Sequence, residues 1–134
     1  MLKGLWNYAI KTDDLQKSAD FYVRQMGAQI RLQGEILGSQ YVLIRMGETR
    51  VILFDRAPHE RELGLNLPPG LLHVVYEVDD FEAQIERLRQ AGVTFLMEPQ
   101  RLEGEFGIRM IAFFESPEGV RTEVMQVIEN SGKA

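Results

Sequence analysis

His73 and Glu123 are the two residues whose types and settings could do chemistry together. His73 stands inside the alternating run Leu72-His73-Val74-Val75-Tyr76-Glu77-Val78. Glu123 interrupts an otherwise apolar-rich strand over 120–127. An imidazole changes charge near neutral pH and serves as acid, base or metal ligand. A carboxylate inside a buried strand needs a partner or a metal, because burying it alone costs several kcal/mol. Side by side, the two form a general acid/base pair or two ligands of one divalent ion. Taken singly, each has a plainer reading. A strand histidine is more often a hydrogen-bonded core residue. A strand glutamate more often lies on a wet face or pairs with an arginine, here Arg121.

The setting of His73 occurs twice. Asn7-Tyr8-Ala9-Ile10-Lys11-Thr12-Asp13-Asp14-Leu15 repeats the pattern of 73–81, 66 positions upstream. Asn7 falls where His73 falls, and the aspartate pairs coincide. Strand alternation puts His73, Val75 and Glu77 on one face and Leu72, Val74, Tyr76 and Val78 on the other, under a helix. In the earlier copy Trp6, Tyr8 and Ile10 take the helix side, and Asn7, Ala9 and Lys11 point away. The closing strands align at an offset of 70, which sets Leu53 opposite Glu123.

The elements that position these residues follow from periodicity and caps. A strand over 5–11 leads to a helix capped by Asp13 or Asp14, with Gln16 at capping-box distance from Asp13. Leu15, Ala19, Tyr22 and Met26 recur at helical spacing, and Gly27 ends the run. A strand over 28–32 and a hairpin of 40–46 with 50–55 follow. Residues 56–70 hold Pro, Gly and charge without a period, and read as a connector or a flexible lid. The order then repeats: a strand over 71–78; a helix capped by Asp79 with Glu82 and carrying Phe81, Ile85 and Leu88; a strand over 93–97; a hairpin of 108–114 with 120–127. Ser116-Pro117-Glu118-Gly119 has type I turn preferences. Gly104-Glu105-Phe106-Gly107 reads as an acidic loop whose Phe106 is free to fold over a ligand. The tail from Glu129 is expected to fray.

The fold class is therefore α+β. Two tandem βαβββ modules (3–55 and 71–128, with connector 56–70) form a curled mixed sheet, helices outside, with a concave pocket, in a single domain of 1–134.

The net charge of −5 weighs against nucleic acid, which needs a basic stripe. The chain has no cysteine, which removes disulfides, thiolate metal sites and thiol nucleophiles. No apolar run is long enough to span a membrane and the N-terminus does not read as a signal peptide. The expectation is a cytoplasmic protein with a small-molecule ligand.

Three segments resemble the vicinal oxygen chelate superfamily, the group of glyoxalase I, methylmalonyl-CoA epimerase, extradiol dioxygenases and bleomycin-resistance proteins. They are 14–22 with Met26-Gly27, then 73–80, then 116–124. The resemblance implies a homodimer and a divalent metal (Mn, Mg, Fe, Ni or Zn) held by the first and last strands of each module. Carried over by position, the slots are Asn7, Leu53, His73 and Glu123. His73, Glu123 and Asn7 are then the metal candidates, and His73 and Glu123 the catalytic ones. An amide and a hydrocarbon in the first module depart from the pattern. His59 in the connector and Asp55 at a strand end are substitute ligands, with loop and turn roles as their plainer readings. The implied function is binding or transformation of a small oxygen-rich molecule at a degenerate metal site, of lyase, isomerase or dioxygenase type. The alternative is a metal-free protein, like the bleomycin-resistance members, that sequesters a small aromatic or cationic ligand.

Overall fold

The computed structural model describes residues 1–58 and 60–134. In chain order the elements are β1 (Leu2–Lys11), α1 (Leu15–Met26), β2 (Gln29–Ile36), β3 (Ser39–Met46), β4 (Thr49–Phe54), α2 (Glu60–Leu63), β5 (Gly70–Val78), α3 (Phe81–Gln90), β6 (Gln100–Gly104), β7 (Gly107–Glu115) and β8 (Arg121–Asn130). The chain thus contains the two βαβββ modules, with the one-turn α2 between them.

By packing, the chain divides into two compact units. One holds Asn7–Leu72 with Lys133–Ala134, the other Met1–Trp6 with His73–Gly132. The strand β1 is shared, its first residues going with the later module.

In the first unit the strands run β2-β3-β4-β1, with β1 parallel to β4 and the other pairs antiparallel. Asp14, extended at φ −144°, accepts the Lys17 amide and starts α1; Gly27, left-handed at φ 71°, ends it. Gln16 does not close a capping box; its amide donates to Asp20 one turn on. Ala19 packs on Val42, Ile44, Val51 and Leu53, with Tyr8, Ile10, Leu15 and Tyr22 around them. Burying each such aliphatic side chain contributes about 1.5–3 kcal/mol.

The connector is held rather than loose. Lys11 Nζ donates to both Glu60 carboxylate oxygens, at 2.9 and 3.2 Å, and to the Leu67 carbonyl. The Leu67 amide donates back to Glu60. Both side chains are buried. Burial pushes the Glu60 carboxyl up, but the hydrogen bond and charge of Lys11, with the backbone donors, leave it below its ordinary value. Of the two readings of 56–70, connector or flexible lid, these contacts favour a connector tied at Glu60 and Leu67 by one buried ion pair. His59 lies outside the described residues.

In the second unit the order is β5-β8-β7-β6, with β5 parallel to β8. Asp80, not Asp79, caps α3 and accepts the Ala83 amide. Asp79 instead pairs with the Met1 amino group, whose hydrogen bond lowers its pKa. Phe81 and Ile85 pack on Val78, Ala112 and Val124. The second strand of this module is 100–104 rather than 93–97; of the expected segment only Phe95 makes a bridge, to Phe114. The stretch from Glu129 is not frayed at its start, since β8 continues to Asn130.

Phe106 is buried in the β6–β7 turn rather than free to close over a ligand. The Arg109 guanidinium lies 5.4 Å from its ring centre and 5.8 Å from that of Trp6. Arg109 is itself buried and donates to the carbonyls of Phe106, Ile108 and Glu129. Trp6 therefore packs in the second unit, not beside Tyr8 and Ile10 under α1. Gly107, at φ 113°, has no room for a side chain, because an added Cβ would meet the Glu129 carbonyl.

Candidate functional site

The parallel pairing of β5 with β8 builds the site. Val74 stands opposite Thr122, Val75 opposite Glu123 and Tyr76 opposite Val124. Paired residues share a face, so Val124 joins the α3 core while Glu123 joins His73 and Val75 on the other side. His73 Nε2 lies 3.3 Å from Glu123 Oε2. Both residues are buried, at 3% and 8% exposure. Phe113, paired with Glu123 across β7–β8, sets its ring edge-on to the imidazole with centres 5.1 Å apart. Nothing in the sequence marked Phe113 beyond its alternation with the core positions Ala112 and Phe114.

The first unit differs at the matching places. Its register pairs Ala9 with Ile52 and Ile10 with Leu53. Ala9 is the counterpart of Val75, so the position equivalent to Glu123 is Ile52. Leu53 faces α1 in the core, one residue out of the expected alignment. The hydrocarbon character of that slot is unchanged. Asn7 is buried at 4% exposure, and its Nδ2 has no hydrogen-bond partner among the described residues. Asp55 Oδ1 accepts the Gln40 amide and so serves the turn rather than a ligand set.

Among the described residues no three His, Asp or Glu side chains converge on a point where an ion could sit. The second unit supplies two donors. Two donors each about 2.1 Å from one ion lie about 3.0–3.4 Å apart at octahedral or tetrahedral angles. The His73–Glu123 separation fits that range, so this pair suits two positions of a divalent ion whose remaining ligands are water or substrate.

Two βαβββ modules in a mixed sheet with β1 parallel to β4 and β5 parallel to β8 define a glyoxalase-type scaffold. The comparisons agree: residues 5–124 match the model of the Glyoxalase/Bleomycin resistance protein/Dioxygenase superfamily, and the chain belongs to that family. It is 27% identical over 120 residues to a lactoylglutathione lyase of Escherichia coli O157:H7, covering 87% of each chain. A probable lactoylglutathione lyase of Synechocystis sp. is 24% identical over the same length, with 87% and 90% covered. Among solved structures, methylmalonyl-CoA epimerase from Mycobacterium tuberculosis superposes with TM-score 0.75 at 21% identity, covering 93% of this chain and 88% of that one. A methylmalonyl-CoA epimerase in complex with methylmalonyl-CoA and NH4+ gives TM-score 0.77 at 20% identity, with 98% and 99% covered. These last two show the fold alone. No helix among the described residues is long and apolar enough to cross a membrane.

Proposed function

We propose that this protein transforms a small oxygen-rich organic acid or thioester by moving a proton at a carbon beside a carbonyl, with His73 and Glu123 as its working groups. The observation that carries the reading is the 3.3 Å approach of two buried side chains able to exchange protons. Each group fixes the other's orientation, and Phe113 walls the imidazole from solvent on one side. In that setting one group takes the proton from carbon while the other, on the same side, gives or returns a proton at that carbon or the neighbouring oxygen. Where a divalent ion is bound, His73 Nε2 and the Glu123 carboxylate would hold it, and it would supply Lewis-acid polarisation of the substrate oxygens in place of proton exchange at Nε2. The reactions for which the similar proteins are named, lactoylglutathione lyase and methylmalonyl-CoA epimerase, both belong to this class. A homodimer is part of the same reading and is tested by sedimentation velocity.

The test is proton exchange. The protein is incubated in D2O with S-lactoylglutathione or methylmalonyl-CoA, with and without added Mn²⁺, and the α-proton is followed by NMR. Wash-out should occur and fall at least about 100-fold in His73→Ala and in Glu123→Gln. Exchange retained in both variants overturns the reading.

A second reading has its own support. With Ile52 at the position matching Glu123, the first module offers a hydrocarbon where the metal-using members place a ligand. A protein that only binds a small aromatic or cationic molecule suits that donor set. Calorimetric titration of candidate ligands in the presence of chelator separates the two, since saturable binding without metal and without turnover favours sequestration.

A further inference from the structure

The second unit carries a cleft that the His73–Glu123 centre does not use. It has a volume of about 450 Å³ and lies where the first residues of β1 meet the ends of β5 and β8. Lys3, Trp6, Glu77, Asp79, Gln126 and Asn130 line it. Its two polar walls differ in kind. The β5 wall offers the carboxylates of Glu77 and Asp79, which accept hydrogen bonds. The β8 wall offers two amides whose oxygens are already engaged. Gln126 Oε1 accepts the Phe81 amide at 2.8 Å, and Asn130 Oδ1 accepts the Gly132 amide at 3.0 Å. Each amide is thereby turned so that its NH2 group, with two donors, is what remains.

The third surface is the Trp6 indole. Arg109 against the ring holds it in place from within the unit, and Arg109 is itself held by three backbone carbonyls. One wall accepts, one donates, and a fixed aromatic ring lines the same cleft. Each carboxylate has a cation beside it, the Lys3 ammonium 3.7 Å from Glu77 and the Met1 amino group on Asp79, and each keeps a further oxygen able to accept.

The geometry points to a binding site for a small flat heterocycle that carries an amine or N–H beside a ring acceptor, the edge found on aminopyrimidines and aminopurines. The amine meets the carboxylates, the ring acceptor meets the amide NH2 groups, and the ring face meets Trp6. A plain benzene ring leaves the NH2 donors of the two amides unused. This site goes beyond the proposed reaction and does not depend on it.

Trp6 is the single tryptophan of the chain, so its emission and its one indole N–H resonance report on this cleft. Cytidine is the probe. Titration should give a saturable change in both signals. Glu77→Leu and Asn130→Leu should each weaken the fitted constant about 5–10-fold, with circular dichroism melts confirming that each variant folds. Asn130 is exposed at the end of β8, so its replacement spares the core. His73→Ala should leave cytidine binding unchanged, and benzyl alcohol should give no saturable response. No saturable change in either signal up to about 10 mM cytidine overturns the proposal. So does an unchanged constant in both cleft variants, an equal response to benzyl alcohol, or loss of cytidine binding in His73→Ala. The α-proton exchange assay is read independently, so failure of one proposal does not mask the other.

Discussion

Replacing Lys11 by Met should unfasten the connector at a cost worked from its contacts. The substitution keeps most of the buried length and removes the charge. Glu60 then loses two charge-assisted hydrogen bonds and keeps the Leu67 amide, while the Leu67 carbonyl loses its donor. Removing one partner of a buried pair costs about 3–5 kcal/mol, because the other charge stays buried. That is a large share of the roughly 5–15 kcal/mol holding a domain together. With a urea slope of about 2 kcal/mol/M, the unfolding midpoint should fall by roughly 2 M. The double variant Lys11→Met, Glu60→Leu should recover most of the loss, since an apolar pair has no stranded charge.

The pH dependence has a definite sign. The Glu60 carboxyl is held below 4.5 in the folded protein, so its contribution is fully present above that value and is lost as pH falls through the folded pKa. In Lys11→Met the carboxyl has no ammonium and protonation relieves it. The gap between wild type and variant should therefore shrink from neutral pH toward pH about 3. Urea melts followed by circular dichroism at a series of pH values measure it. A loss below about 1 kcal/mol at neutral pH, or a gap that widens on acidification, refutes the argument.

Further tests concern caps, core and metal. Asp80→Ala should lower stability by about 1 kcal/mol through loss of the α3 cap, and Asp79→Ala should spare the helix, as thermal melts and amide exchange at Ala83 would show. Arg109→Leu strips the donors from three carbonyls and should cost at least about 2 kcal/mol in denaturant melts, with a change in Trp6 emission. Gly107→Ala should be comparably damaging, because the added methyl meets the Glu129 carbonyl and the φ of 113° is unfavourable to it. Added Mn²⁺ should raise the melting temperature in proportion to the logarithm of its concentration, and the increase should vanish in the variant His73→Ala, Glu123→Gln.

The sequence carried the architecture because its signals were redundant. Asp14, the spaced Leu15, Ala19 and Tyr22, and Gly27 all speak for one helix, and the copy from Asp80 repeats the message. It carried the wrong aspartate at the second helix because Asp79 and Asp80 are equally good caps by type, and only backbone angles separate them. The strand at 100–104 was illegible, since Gln-Arg-Leu-Glu-Gly has one apolar residue, while the apolar 93–97 drew attention it did not merit. The short α2 spans one turn, too little for a period to show. The slot matching Glu123 slipped by one residue because Val51-Ile52-Leu53-Phe54 is apolar throughout. Alternation cannot fix register in a strand whose two faces are alike; the pairing of Ala9 with Ile52 does.

The division of β1 bears on how the molecule is made. Residues 1–6 leave the ribosome well before His73, where the unit in which they pack begins again. At about 5–20 residues per second they wait several seconds for their neighbours to emerge. A fragment stopping at Leu72 would display an unclaimed strand carrying Leu2 and Leu5, an invitation to stick to other nascent chains. Chaperone demand should accordingly rise before His73 emerges and fall once β5 and β8 have been delivered.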